Sequence, residues 1–232
     1  MERICRTFEA RIVIHVEAAP EPVDVDAKVR VPGLSAIAEF VGEEPNVTRG
    51  GPKRTKIAER REDIPPDRLP PLWRDALGDL LAAYNRLCAY TSLYIERVTG
   101  APTVDHMMAK SQAWDSVYEW LNYRLACSLM NSRKGAISEV LDPFEVQNGW
   151  FEMELVGFQV RPGVGLTEAL RAHVQLTIDK LGLNDWDCRH ARETYATDYL
   201  DGHISLAYLS RRAPFVANEL RRQQSLREGD AQ

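Results

Sequence analysis

Thr103-Val104-Asp105-His106-Met107-Met108-Ala109-Lys110-Ser111 is followed shortly by Tyr118-Glu119-Trp120-Leu121-Asn122-Tyr123-Arg124-Leu125-Ala126-Cys127-Ser128-Leu129-Met130-Asn131-Ser132-Arg133-Lys134-Gly135. The segment near Pro102–His106 reads as a short strand, and Trp150–Val156 is a second strand candidate. An isolated Asp-His pair is more often a turn or surface feature than a reactive one. Here Asn122, Asn131 and an Asn-x-x-Lys-Gly run stand behind it in order, and that spacing gives Asp105 and His106 their weight.

With those residues in this order, the stretch Thr103–Gly135 resembles the HNH endonuclease superfamily. Its members read roughly D-H-x-x-P-K-S, then Y-x-W-x-N-x-x-L-x-C-x-x-C-N-x-x-K-G. Leu141-Asp142-Pro143-Phe144 stands where such proteins often place a D-P turn. The resemblance implies an α+β chain with a ββα-metal finger embedded in a mainly helical domain. It implies a phosphodiester hydrolase in which Asp105 holds the metal and His106 is the general base. Asn131 would supply a neutral oxygen ligand from the finger's helix, and Asn122 would restrain the hairpin. Lys134, one turn beyond Asn131, is a candidate for phosphate or the transition state, against a reading as a solvated helix lysine. Lys110, Arg124 and Arg133 are weaker phosphate-contact candidates.

The chemistry gives these residue types a reason. Phosphodiester hydrolysis needs an activated water, a cation against the phosphate charge, and positioning. Histidine takes a proton near neutral pH. Adjacent strand residues face opposite sides, so Asp105 and His106 need a local kink or hairpin to reach one pocket. One carboxylate and one amide leave most coordination positions to water and phosphate oxygens, which suits Mg²⁺ or Mn²⁺.

The departures from the pattern are specific. Two C-x-x-C knuckles hold a structural zinc in many relatives, whereas here the corresponding runs are Cys88-Ala89-Tyr90-Thr91 and Cys127-Ser128-Leu129-Met130. A four-thiolate zinc site is therefore not expected, and Cys88, Cys127 and Met130 read as core residues. Ala109 replaces the proline before Lys110.

N-terminal to this stretch, residues 1–71 read as an irregular or β segment. Arg11–Val16 is a strand candidate, and Pro20, Pro22, Pro32 and Pro45 argue against long helices. Residues 49–61 are basic, and Lys53 and Arg54 are candidate phosphate contacts against a reading as a solvated loop. Ile64-Pro65-Pro66 and Leu69-Pro70-Pro71 form a stiff connector. Residues 72–160 make the expected nuclease core, opening on an amphipathic helix across 72–90.

Residues 161–232 read as helical. Thr167 and Glu168 open a helix whose apolar stripe is Leu166, Leu170, Val174, Ile178 and Leu181, and Gly182 stops it. Asn184 is the expected cap of the next helix. A last helix spans about 203–224.

With 44% hydrophobic and 27% charged residues, the 232-residue chain has an ordinary globular composition. It has no apolar run long enough to cross a membrane. The N-terminus lacks the apolar stretch of a signal peptide, so the cytoplasm is the expected compartment. A net charge of −5 argues against coating nucleic acid, though only the groove that meets phosphate must be positive. The leading expectation is an endonuclease acting on DNA rather than RNA. The overall layout also resembles standalone bacterial HNH proteins that accompany an ATPase in Septu-type or retron-associated anti-phage systems, which implies a partner ATPase. The alternatives are a catalytically silent HNH-like module that binds nucleic acid or protein, and a helical interaction protein.

Overall fold

In the computed structural model, which describes residues 16–47 and 50–230, strand β1 (Pro102–His106) pairs antiparallel with β2 (Tyr123–Cys127). The register sets Asp105 opposite Arg124 and His106 opposite Tyr123. Helix α3 (Ser128–Lys134) follows β2 without a linker and packs on both strands. Tyr123, Arg124, Leu125 and Ala126 are all buried, so both faces of β2 are covered. Helix α3 covers the hairpin together with a 3₁₀ segment (Leu72–Ala76) and α2 (Leu77–Ala83). Gly135, at φ +47°, ends α3, and its N–H donates to Asn131 O at 2.9 Å.

The chain divides into two compact units. The first comprises Glu17–Ala89 and Ile95–Glu139. The second, among the described residues, comprises Val16, Tyr90–Tyr94 and 140–230. Helices and a few short strands together make an α+β chain. No helix among the described residues is long and apolar enough to cross a membrane. The strand candidate Arg11–Val16 lies outside the described residues except for Val16.

Within the first unit, two expectations are corrected. The prolines do not keep 16–48 free of helix: a π-helical turn (Asp26–Arg30) runs into α1 (Val31–Val41). Pro32 stands directly after the π-helical turn, where the helical run already departs from regular α hydrogen bonding. The helix expected over 72–90 is also shorter, because Asn85 and Arg86 take positive φ just after α2. Tyr84 and Cys88 stay buried through tertiary packing, so the apolar spacing there records burial and not helix. Gly33 on α1 lies against the Tyr118 ring, which a Cβ would overlap.

The second unit holds a hairpin of β3 (Phe151–Met153) and β4 (Val160–Pro162) with four helices. Helix α4 (Glu168–Leu181) begins and ends where the sequence predicts: Thr167 Oγ1 accepts from Leu170 N, and Gly182 closes it at φ +59°. Helix α5 (Trp186–Leu200) is preceded by Asp185, not Asn184. Asn184 instead bonds both backbone groups of Val160, at 2.7 Å each. The single helix expected over 203–224 is two, α6 (Leu206–Arg212) and α7 (Pro214–Arg222), broken because Pro214 cannot continue α6 and instead starts α7.

Candidate active site

Strand β1 runs regularly through His106, so the pleat sends Asp105 and His106 to opposite faces of the hairpin. No kink joins them. Both nevertheless line one cavity of about 570 Å³, which every residue of β1 borders together with Trp73, Arg74, Lys110 and Asn131.

His106 is held on three sides. Its ring meets Trp73 edge-on at 4.9 Å and Tyr123 edge-on at 5.3 Å. Its Nε2 lies 3.0 Å from Val117 O, and Tyr123 Oη donates to the same oxygen at 2.9 Å. A carbonyl oxygen only accepts, so Nε2 must carry the proton and Nδ1 the lone pair. Burial pushes the imidazole down to about 4, with Lys110 and Lys134 adding in the same direction against the Val117 bond. His106 is therefore neutral at pH 7, with Nδ1 as its basic atom.

Asn122 ties down the loop between the strands. Its Oδ1 accepts from Met108 N at 2.7 Å, and its Nδ2 donates to Met108 O at 3.1 Å and Ser116 O at 2.9 Å. The backbone adds Met107 N to Asn122 O at 2.8 Å. Glu119 in the same loop is held by Arg30 Nε, 3.0 Å from both carboxylate oxygens. The loop that presents Val117 O is thus fixed at several points.

On the other face, Asn131 Nδ2 donates to Thr103 Oγ1 at 3.0 Å and lies 3.5 Å from Val104 O. The nitrogen's commitment to strand acceptors fixes the amide orientation and leaves Oδ1 as the oxygen donor. Asp105 is 3% exposed and Lys134 fully buried. Lys134 Nζ donates to His106 O at 2.7 Å and sits 3.6 Å from Asp105 Oδ2. Lys134 is neither a solvated helix lysine nor open to phosphate in this arrangement, because its ammonium is spent between α3 and β1.

The remaining predicted residues separate. Lys110 lines the cavity, its ammonium 4.4 Å from the Trp73 ring centroid. Arg124 turns inward, 3% exposed, donating to Leu121 O and Tyr123 O at 2.8 and 2.9 Å. Its head group therefore does not face phosphate. Arg133 is half-buried on α3. Lys53 and Arg54 are paired with Glu44 and Glu39, each at 2.9 Å, and border a different cavity that shares no lining residue with that of His106. Cys88 and Met130 are buried in the core, and Cys127 is half-buried.

Sequence reasoning missed Trp73, Arg74 and Tyr123. Trp73 and Arg74 lie far from the motif, in a stretch whose apolar period already accounted for it. Tyr123 lies inside the motif, and only the strand register brings it opposite His106. Among the described residues, no three His, Cys, Asp or Glu side chains converge as a metal-binding group. Asp105 and Asn131 both border the cavity. The chain matches no protein-family model and no curated protein at a significant level.

Proposed function

We propose that this chain is a metal-dependent endonuclease of the HNH type, hydrolysing phosphodiester bonds in DNA, with RNA as the alternative substrate. The observation that carries this reading is the setting of His106: its Nε2 proton is held by Val117 O, and the residue borders one cavity with Asp105 and Asn131. In this reading Nδ1 takes a proton from water as the water oxygen forms its bond to phosphorus. The bond from phosphorus to the leaving sugar oxygen breaks, and that oxygen gains a proton from solvent. Trp73 and Tyr123 hold the ring in place through edge contacts.

The donor set fits a hard divalent cation: Asp105 offers a carboxylate and Asn131 its Oδ1, which suits Mg²⁺ or Mn²⁺. When bound there, such an ion would neutralise charge on the phosphate and the leaving oxygen. The deciding assay incubates supercoiled plasmid and single-stranded DNA with the protein and Mg²⁺ or Mn²⁺, beside His106→Ala. Metal-dependent nicking that disappears in the variant is the expected result. Equal nicking by both proteins removes His106 from the mechanism.

One observation favours a second reading, a catalytically silent module of the same type. The Lys134 ammonium lies 3.6 Å from Asp105 Oδ2 and competes with a metal for that carboxylate. Absence of nicking by both proteins, with retained nucleic-acid binding, selects it.

A further inference from the structure

All five cations of the segment 53–61 are answered within the chain. Lys56 meets Glu59, Arg60 meets Asp63 and Arg61 meets Glu43, besides the pairs of Lys53 and Arg54. Arg74 and Lys110 are different. Both border the cavity of Asp105 and His106, and neither has an acidic partner among the described residues. Burial, and then the Arg74 charge, disfavour the charged form of Lys110. Two cations thus border one cavity without an ion-pair partner of their own, one on the 3₁₀ segment before α2 and one after β1. Lys110 is fixed by the Trp73 ring beneath its ammonium. Such a pair attracts an anion, and Arg presents a planar donor fork suited to phosphate oxygens.

The surroundings suit a strand more than a small anion. A second cavity of about 140 Å³ shares Pro66, Lys110 and Ser111 with the first and continues to Gln112 and Trp114. Its one carboxylate, Glu62, is 3.4 Å from Arg60. Lys110 therefore borders both cavities, which together offer more room than one phosphate group fills.

We propose that Arg74 and Lys110 clamp one backbone phosphate of the nucleic-acid strand whose neighbouring bond is presented to His106. The clamp rests on the endonuclease reading for its setting, and binding tests it separately from cleavage. A fluorescein-labelled single-stranded oligonucleotide is titrated with protein in EDTA across a KCl series, for wild type, Arg74→Gln, Lys110→Met and Lys53→Gln. Lys110→Met keeps an apolar stem over Trp73, and melting temperatures check that each variant is folded. Each clamp variant should bind about 5- to 10-fold more weakly. The slope of log affinity against log salt should fall by about 0.7 for each lost phosphate contact. Lys53→Gln should match wild type.

Unchanged affinity and slope in Arg74→Gln and Lys110→Met, an effect in only one of them, or no binding by wild type overturns the clamp. If metal-dependent nicking still depends on His106 in that case, the nuclease reading stands without it. Weakened binding in both variants, with no nicking by any protein, supports the clamp and removes the nuclease reading.

Discussion

Lys134 Nζ lies 3.6 Å from Asp105 Oδ2 while donating to His106 O at 2.7 Å, so one buried ammonium joins α3 to both members of the Asp-His pair. Lys134→Met removes the ammonium beside a buried carboxylate and its hydrogen bond to His106 O. A loss of about 3–5 kcal/mol is expected, the range for breaking a buried pair from one side. Adding Asp105→Asn should recover more than about 1 kcal/mol in a urea-denaturation double-mutant cycle. Strict additivity would show that the two side chains do not interact.

The pH dependence of stability follows from His106. Folded, burial holds it near 4; unfolded, it returns to about 6.5. The unfolded chain therefore binds more protons between those values. The stability contributed by the neutral ring is complete above pH 6.5 and is lost as pH falls towards 4, by about 3 kcal/mol. His106→Phe keeps a ring between Trp73 and Tyr123 and should flatten the stability profile between pH 6.5 and 4. A variant profile as steep as wild type places the acid sensitivity elsewhere.

Asn122 makes three side-chain hydrogen bonds across the loop from a 94% buried position, since only 6% of its surface is exposed. Asn122→Ala strands Met108 N, Met108 O and Ser116 O and should cost about 3 kcal/mol. Asn122→Asp keeps the acceptor for Met108 N but gives up both donors. Amide hydrogen exchange at Met108 should then stay slower in Asp than in Ala. Equal exchange in the two variants would contradict the bond to Met108 N.

In the second unit, Gly163 is required by close approach and not by φ. A Cβ there would collide with Gly149 O, and Gly163 N donates to Trp150 O at 2.9 Å beside the β3–β4 hairpin. Gly163→Ala should destabilise by about 1–3 kcal/mol. Gly149→Ala has open space around its Cβ but sits at φ +81°, so a loss of about 1 kcal/mol is expected from strain alone. Calorimetric melting of both variants orders them.

The strand candidate at Pro102–His106 and helix α4 were legible because each depends on local rules: β-forming residues in one, a threonine cap and a left-handed glycine in the other. The family resemblance implies Asn122 as a restraint on the hairpin, and its side chain bonds Met108 and Ser116 within that loop. The failures share another cause. Leu72–Leu87 kept a helical apolar period although the backbone turns at Asn85, because period reports what is buried, by whatever path. Neither sequence expectation for Lys134, a phosphate contact or a solvated lysine, anticipates its burial, since nothing local shows that α3 folds back on β1. Lys53 and Arg54 looked available because their partners, Glu44 and Glu39, lie in a different segment of the sequence. Pro214 was visible throughout and should have divided the last helix.

The oxygen that accepts from His106 and Tyr123 belongs to the main chain of Val117, so no side chain encodes it. Any residue that fills the same apolar space can stand at 117 and leave the proton on Nε2. Side-chain scanning at this position will therefore report packing and stay blind to the electrostatics. Only an altered backbone reaches them: an ester in place of the amide linking Val117 to Tyr118 would make that oxygen a poorer acceptor while keeping every side chain.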